Sequence, residues 1–215
     1  ALGIVRIILE NELDLGINEL LEKSVSLYQN QDLQADSSKI IEDTRNFIFD
    51  RLRIFIKSQG ISHDLISASL KLNLDDKLLR FLNRIISLKS FLSQDVGIDL
   101  LKAYRRANNI VSIELKKNSF VNKGDPSKDL FLLNEEHELN DCLQEVKGDI
   151  LINVQSGEFS EAMESLSLLS KPIDNFFESV KVNTEDGTVR ENRLKLLSKI
   201  TATFNMVADF SQIES

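Results

Sequence analysis

KPIDNFFESVKVNTEDGTVRENRLKLLSKITATFNMVADFSQIES, residues 171–215, reads as two amphipathic helices with an acidic turn between them. Pro172 stands where a first helical turn tolerates a missing N–H. Ile173, Phe176, Phe177 and Val180 follow at i, i+3, i+4 and i+7, which makes one apolar stripe. Residues 183–187 are turn formers and break the helix. A second helix is predicted from about Thr188, with Val189, Leu196, Ile200, Phe204 and Val207 on its buried face. Arg190, Asn192, Arg193, Lys195 and Lys199 load its first half with hydrogen-bond donors.

The totals agree with a helical protein. The 215 residues can hold one large or two modest domains. Two Pro, eight Gly and no Trp leave few punctuators between long apolar stripes. The single cysteine, Cys142, excludes an internal disulfide and suits a reducing cytosol. No run of about eighteen apolar residues is present, so no membrane span is expected. No signal peptide is visible. The net charge of −8 opposes broad nucleic-acid binding, which rests on neutralising phosphates. Any such role must come from local charge distribution.

Taken in order, 2–10 predicts a short helix with Leu2, Val5, Ile8 and Leu9 on one side. It starts with neither Met nor a capping residue, which suggests a cut from a larger chain. A second helix runs to about Tyr28, and 30–38 reads as a polar loop. A long helix at 40–58 carries Phe47, Ile48, Leu52, Phe55 and Ile56 inward and stops near Gly60. Its Arg45, Arg51, Arg53 and Lys57 read as a solvated or ion-paired face more readily than as an RNA contact. His63-Asp64 invites comparison with metal-dependent HD phosphohydrolases, but the only other histidine is His137, so a helix start is the better reading. Asp75 opens a helix to about Ser93, with Leu78, Leu79, Leu82, Ile85, Ile86 and Leu92 inward.

After a turn at 94–97, Leu100, Leu101, Tyr104, Ala107, Asn108, Val111 and Leu115 form a helical stripe. The opposite side bears Lys102, Arg105, Arg106, Asn109, Ser112 and Lys116, the most basic face in the chain. Such a face can track phosphates and offer Asn or Ser to bases. Residues 118–128 read as a loop. A long acidic helix at 134–154 buries Leu139, Leu143, Val146 and Ile150 and presents Glu135, Glu136, Glu138, Asp141 and Glu145 outward. Gly157 ends it, and Phe159, Ala162, Met163, Leu166 and Leu169 pattern a short helix. No Gly-rich phosphate loop, metal-ligand cluster or nucleophile–base pairing stands out.

Three ordered motifs near the C-terminus resemble the β subunit of bacterial heterotetrameric glycyl-tRNA synthetase. They are Pro172-x-Asp174-x-Phe176-Phe177, the run from Val189 through Arg190, Asn192, Arg193, Leu194, Leu196 and Leu197, and the Val-Ala-Asp-Phe-Ser ending at 207–211. ALGIVRIILE (1–10), FDRLRIFIKSQGISHDLISASL (49–70) and AYRRANNIVSI (103–113) resemble the same family. The resemblance implies an all-α chain of about eight to ten helices. Residues 1–95 would be a helical body following an HD-like domain absent from this fragment, and 96–215 an anticodon-binding domain. That domain type is named for an Asp-Ala-Leu-Arg (DALR) motif, where this chain reads Arg-Glu-Asn-Arg-Leu-Lys-Leu-Leu at 190–197.

The resemblance further implies a cytoplasmic subunit of a glycine–tRNA ligase. It would bind tRNA(Gly) and recognise its anticodon, in an α2β2 tetramer. ATP and Mg²⁺ would be used by the partner α subunit, with no cofactor, no metal and no catalytic residue in this chain. The expected RNA contacts are Lys102, Arg105, Arg106 and Asn109, then Arg190, Asn192, Arg193 and Lys195, because Arg forks suit phosphate or guanine and Asn can read a base edge. The alternative is a helical adaptor that binds a protein partner through its acidic helix and no RNA. The RNA reading requires the basic faces of 102–116 and 190–199 to converge with the acidic helix turned away; the adaptor reading does not.

Overall fold

A computed structural model describes residues 1–28, 36–70, 76–117 and 124–214. The described residues form ten α-helices, two 3₁₀ turns and no strand. The expected start at Asp75 and most of the loops at 30–38 and 118–128 lie outside the described residues.

The chain divides into two compact units, Ala1–Ile86 and Ser87–Ile213. In the first, α1 (Leu2–Glu10), α2 (Ile17–Ser26) and α4 (His63–Leu70) pack on α3 (Ser37–Ser58). α1 buries Val5, Ile8 and Leu9, while Leu2 is exposed. α3 turns Phe49 inward and leaves Phe47 half exposed. The periodicity permitted either ring. The ring left outside is covered by Arg51, 4.8 Å from its centroid, and Arg45 lies 5.0 Å from Phe49. Gly60 adopts φ 75° past the end of α3, a left-handed turn suited to glycine.

The start of α2 lacks a side-chain cap of its own, since Gly16 precedes it. A distant carboxylate supplies one: both Asp76 oxygens lie 3.0 Å from the Asn18 N–H, and the Ile17 N–H donates to the Asp76 carbonyl. A Cβ at Gly16 would sit 2.9 Å from Asp76 Oδ2, so glycine permits the approach. Asp76→Ala should cost about 1 kcal/mol, the usual value of an N-cap, read as a shift in denaturant midpoint. An unchanged midpoint would mean that α2 is held by packing alone.

α5 (Leu78–Leu92) runs across the division between the units. It buries Leu78, Phe81, Ile85, Leu88 and Phe91, and Ile86, expected inside, is 51% exposed. The second unit continues with α6 (Asp95–Lys116), α7 (Asn134–Ser156), α8 (Phe159–Ser167), α9 (Ser170–Ser179) and α10 (Gly187–Phe204). α10 packs against both α6 and α7, and α7 also packs on α8 and α9. The expected turn at 94–97 is shorter, because Gly97 already lies in the first turn of α6. Gly157 closes α7 at φ 87°. Asp186 caps α10 by accepting from the Thr188 and Val189 N–H groups.

Candidate nucleic-acid interface

Two sets of donors require placing, one on α6 and one on α10. α6 buries Leu100, Leu101, Ala103, Tyr104, Ala107 and Val111, which directs its other side outward. Lys102, Arg106 and Asn109 are exposed there and Arg105 is half-buried. Lys102 pairs with Asp99 at 2.8 Å. The Arg106 guanidinium carbon lies over the Phe177 ring, 4.2 Å from its centroid, a cation–π contact that anchors it on α9 without using its hydrogen-bond donors. Arg105 donates to the Ile213 carbonyl at 2.8 Å and so ties the chain's end to α6.

Tyr104 anchors this face from behind. Its ring lies 5.5 Å from Phe204 and 5.6 Å from Phe210, and its hydroxyl donates to Asn205 at 3.1 Å. Burial, with the Asp209 charge beside it, pushes its pKa up to about 12. The Val-Ala-Asp-Phe-Ser ending thus has a structural task. Val207, Ala208 and Phe210 fill the core, and Asp209 accepts from the Ser211 N–H and hydroxyl.

The donors of α10 are placed differently. Arg193 is buried; its Nε donates to Glu136 Oε1 at 2.8 Å, its Nη2 lies 3.3 Å from Glu136 Oε2, and its Nη1 donates to the Lys181 carbonyl at 2.9 Å. Asn192 is also buried and clamps Ser127, accepting its N–H at 2.7 Å and donating to its carbonyl at 2.9 Å. Arg190 is partly exposed and joins Glu114 of α6 and Asn183. Lys195 is half-buried like Arg190 and pairs with Glu191 at 3.0 Å. α6 and α10 pack together, and the link between them from this group is Arg190 to Glu114, an acidic residue outside the α6 donor set.

The acidic helix leaves Glu138, Asp141 and Glu145 exposed and Glu135 half-buried, as expected, but it packs on α10 through its other side. Glu136, expected on its outer face, is wholly buried. Burial pulls its carboxyl upward, but the Arg193 hydrogen bond, the Leu132 and Leu133 N–H groups and the Arg193 charge together hold it below the ordinary carboxylate range. Lys199 of α10 donates to Asn140 of α7 at 3.0 Å, and Lys128 pairs with Asp141 at 2.7 Å. His63 lies 3.3 Å from the Ser67 hydroxyl, and the described residues hold no group of three His, Cys, Asp or Glu fit for a metal. No helix among the described residues is long and apolar enough to cross a membrane.

Residues 1–71 match the family model of the glycyl-tRNA synthetase beta subunit, and 100–213, from α6 to the closing 3₁₀ turn, match the DALR anticodon binding domain. The chain belongs to the glycyl-tRNA synthetase β-subunit family. It is 38% identical over its whole length to the glycine–tRNA ligase beta subunit of Rhodospirillum centenum and 34% identical to that of a Ruegeria species, covering 30% of each. Identity to the Rickettsia felis protein of the same name is 37% over 99% of this chain and 29% of that protein. The chain therefore spans under a third of these relatives, each named as the beta subunit of a glycine–tRNA ligase. In this β-subunit domain, sequence reading missed Glu136 and Glu114 as interior partners. The one available signal was the equal supply of Arg on α10, which needs counter-charges if the helix is buried on most sides.

Proposed function

We propose that this chain binds tRNA(Gly) and recognises its anticodon through residues 100–213, with Lys102, Arg106 and Asn109 of α6 as the leading contacts and Arg105 beside them. The match of 100–213 to an anticodon binding domain carries this reading, and the exposed donors of α6 support it. Single-stranded anticodon bases are open to hydrogen bonding and stacking, which suits a guanidinium already held over an aromatic ring. In the whole cytoplasmic ligase, catalysis with ATP and Mg²⁺ would reside on an α subunit in an α2β2 assembly.

The test is binding of the 215-residue chain to tRNA(Gly) and to a variant with the anticodon replaced, at two salt concentrations. Arg106→Ala should weaken binding by roughly 1–3 kcal/mol if it reads a base, and erase discrimination at that base. Equal loss on both RNAs would make Arg106 a phosphate contact. Absence of salt-sensitive binding to either RNA would sink the reading.

A second reading has one observation in its favour. Ile152 and Leu168 are 64% and 62% exposed beside Asp149, Glu161 and Glu164. That acidic, apolar groove repels RNA and suits a protein surface, as the adaptor reading requires.

A further inference from the structure

Lys147 of α7 and Lys195 and Lys199 of α10 line one hollow of about 330 Å³ in the second unit. Ser198, Thr203 and residues 124–126 line it as well. The hydroxyls of Ser198 and Thr203 donate to carbonyls of their own helix, so this part of the lining is polar but self-satisfied. Three lysines and one acidic residue, Asp125, line the hollow, in a chain whose net charge is −8.

The fold compensates this concentration of charge only in part. Lys195 and Lys199 stand one turn apart on α10, a spacing at which like charges repel. Lys195 has Glu191 as its partner, but Lys199 has only the neutral Asn140 amide oxygen. Lys147 has no ion-pair partner among the described residues. Burial pulls the Lys199 ammonium below its ordinary range, and the Lys147 and Lys128 charges add to that pull against Asp125 and Asp141. An added anion would relieve all three lysines together.

We propose that this hollow receives a phosphate of an RNA backbone, making α7 and α10 a second contact surface in addition to the α6 face. The inference rests on the RNA-binding reading above and extends it to residues outside the α6 set. A phosphodiester meets the requirement because it carries one negative charge and accepts several hydrogen bonds, while lysines bind phosphate as mobile point charges. The site holds position and carries no base readout.

The experiment is lysine-selective acylation of the full chain, read by mass spectrometry, alone, with tRNA(Gly), and with inorganic phosphate at millimolar concentration. Protection of Lys147 and Lys199 by tRNA, with little protection by inorganic phosphate, is the expected result. Lys147→Glu should weaken tRNA binding about five- to tenfold at low salt, lower the log–log salt slope by about 0.7–0.9, and leave anticodon discrimination intact. Protection of Lys102 by tRNA without protection of Lys147 and Lys199 would overturn the hollow and leave the α6 reading standing. Protection of the hollow by inorganic phosphate alone would make it a small-anion site and overturn the RNA assignment. Failure of tRNA to bind at low salt would overturn both. Because Lys147 is exposed, an unchanged thermal midpoint for Lys147→Glu separates lost binding from lost folding.

Discussion

Replacing Arg193 by Ala is expected to destabilise the second unit by about 3–5 kcal/mol, because it leaves the Glu136 carboxylate buried without its counter-charge. Glu136 sits at the head of α7 and accepts the Leu132 and Leu133 N–H groups at 2.9 and 3.0 Å. Arg193 closes the remaining side of that carboxylate and also holds the Lys181 carbonyl beyond α9. One side chain thus joins α10, the start of α7 and the α9–α10 connection. Removing both charges in a size-matched apolar pair should recover much of the loss. Acid supplies an independent check. The Glu136 pKa is depressed on folding, so its contribution is fully present above the ordinary carboxylate value near 4 and is lost as pH falls through the lower, folded value. Denaturant unfolding at descending pH should therefore narrow the gap between the parent and Arg193→Ala. A gap below about 1 kcal/mol at neutral pH would show that the pair is dispensable to the fold.

Gly97→Ala is the other large effect. A Cβ there would lie 2.0 Å from the Phe91 carbonyl oxygen, 2.7 Å from its carbon and 3.2 Å from Leu92 Cα. All three are backbone atoms, so no side chain can rotate away. Relief requires the last turn of α5 to move off the first turn of α6. The expected cost is about 3 kcal/mol or more, at the upper end of overpacking. Helix propensity alone gives the opposite sign, since Ala exceeds Gly by about 1 kcal/mol in a helix interior. Gly148 isolates that term: it is exposed within α7 and nothing lies within 4 Å of its Cβ position. Gly148→Ala should stabilise by up to about 1 kcal/mol while Gly97→Ala destabilises, both read as shifts in denaturant midpoint. Two equal shifts would remove the steric argument.

These residues mark where the sequence was legible. The stripe Leu139, Leu143, Val146 and Ile150 is buried as its spacing predicts, and so is the set Phe159, Ala162, Met163, Leu166 and Leu169. Each lies on a helix with one wide apolar side, so periodicity has one solution. α3 and α5 were less legible because apolar residues nearly surround them. Phe47 and Phe49, or Ile86 and Phe81, then compete for the inside, and the neighbouring helices choose. The family resemblance was carried by motifs rather than by charge, and several motif residues prove to be core or cap: Phe176, Phe210 and Asp209.

Donors were the hardest to place. A sequence shows that Arg105, Arg106, Arg190, Asn192 and Arg193 can donate, but not to what. The α6 set stays outside because one face of that helix packs. Asn192 and Arg193 are drawn inside because α10 contacts α6 on one side and α7 on another. By itself, the sequence determined an all-helical chain, the positions of most helices and membership of a synthetase family, since these depend on local periodicity, breakers and ordered motifs. Which arginines face solvent, that Glu136 is buried, and that Lys147 meets Lys195 and Lys199 were decided only by tertiary packing. Pairings between helices depend on contacts more than fifty residues apart in the chain, such as Glu136 with Arg193, and no local pattern encodes them.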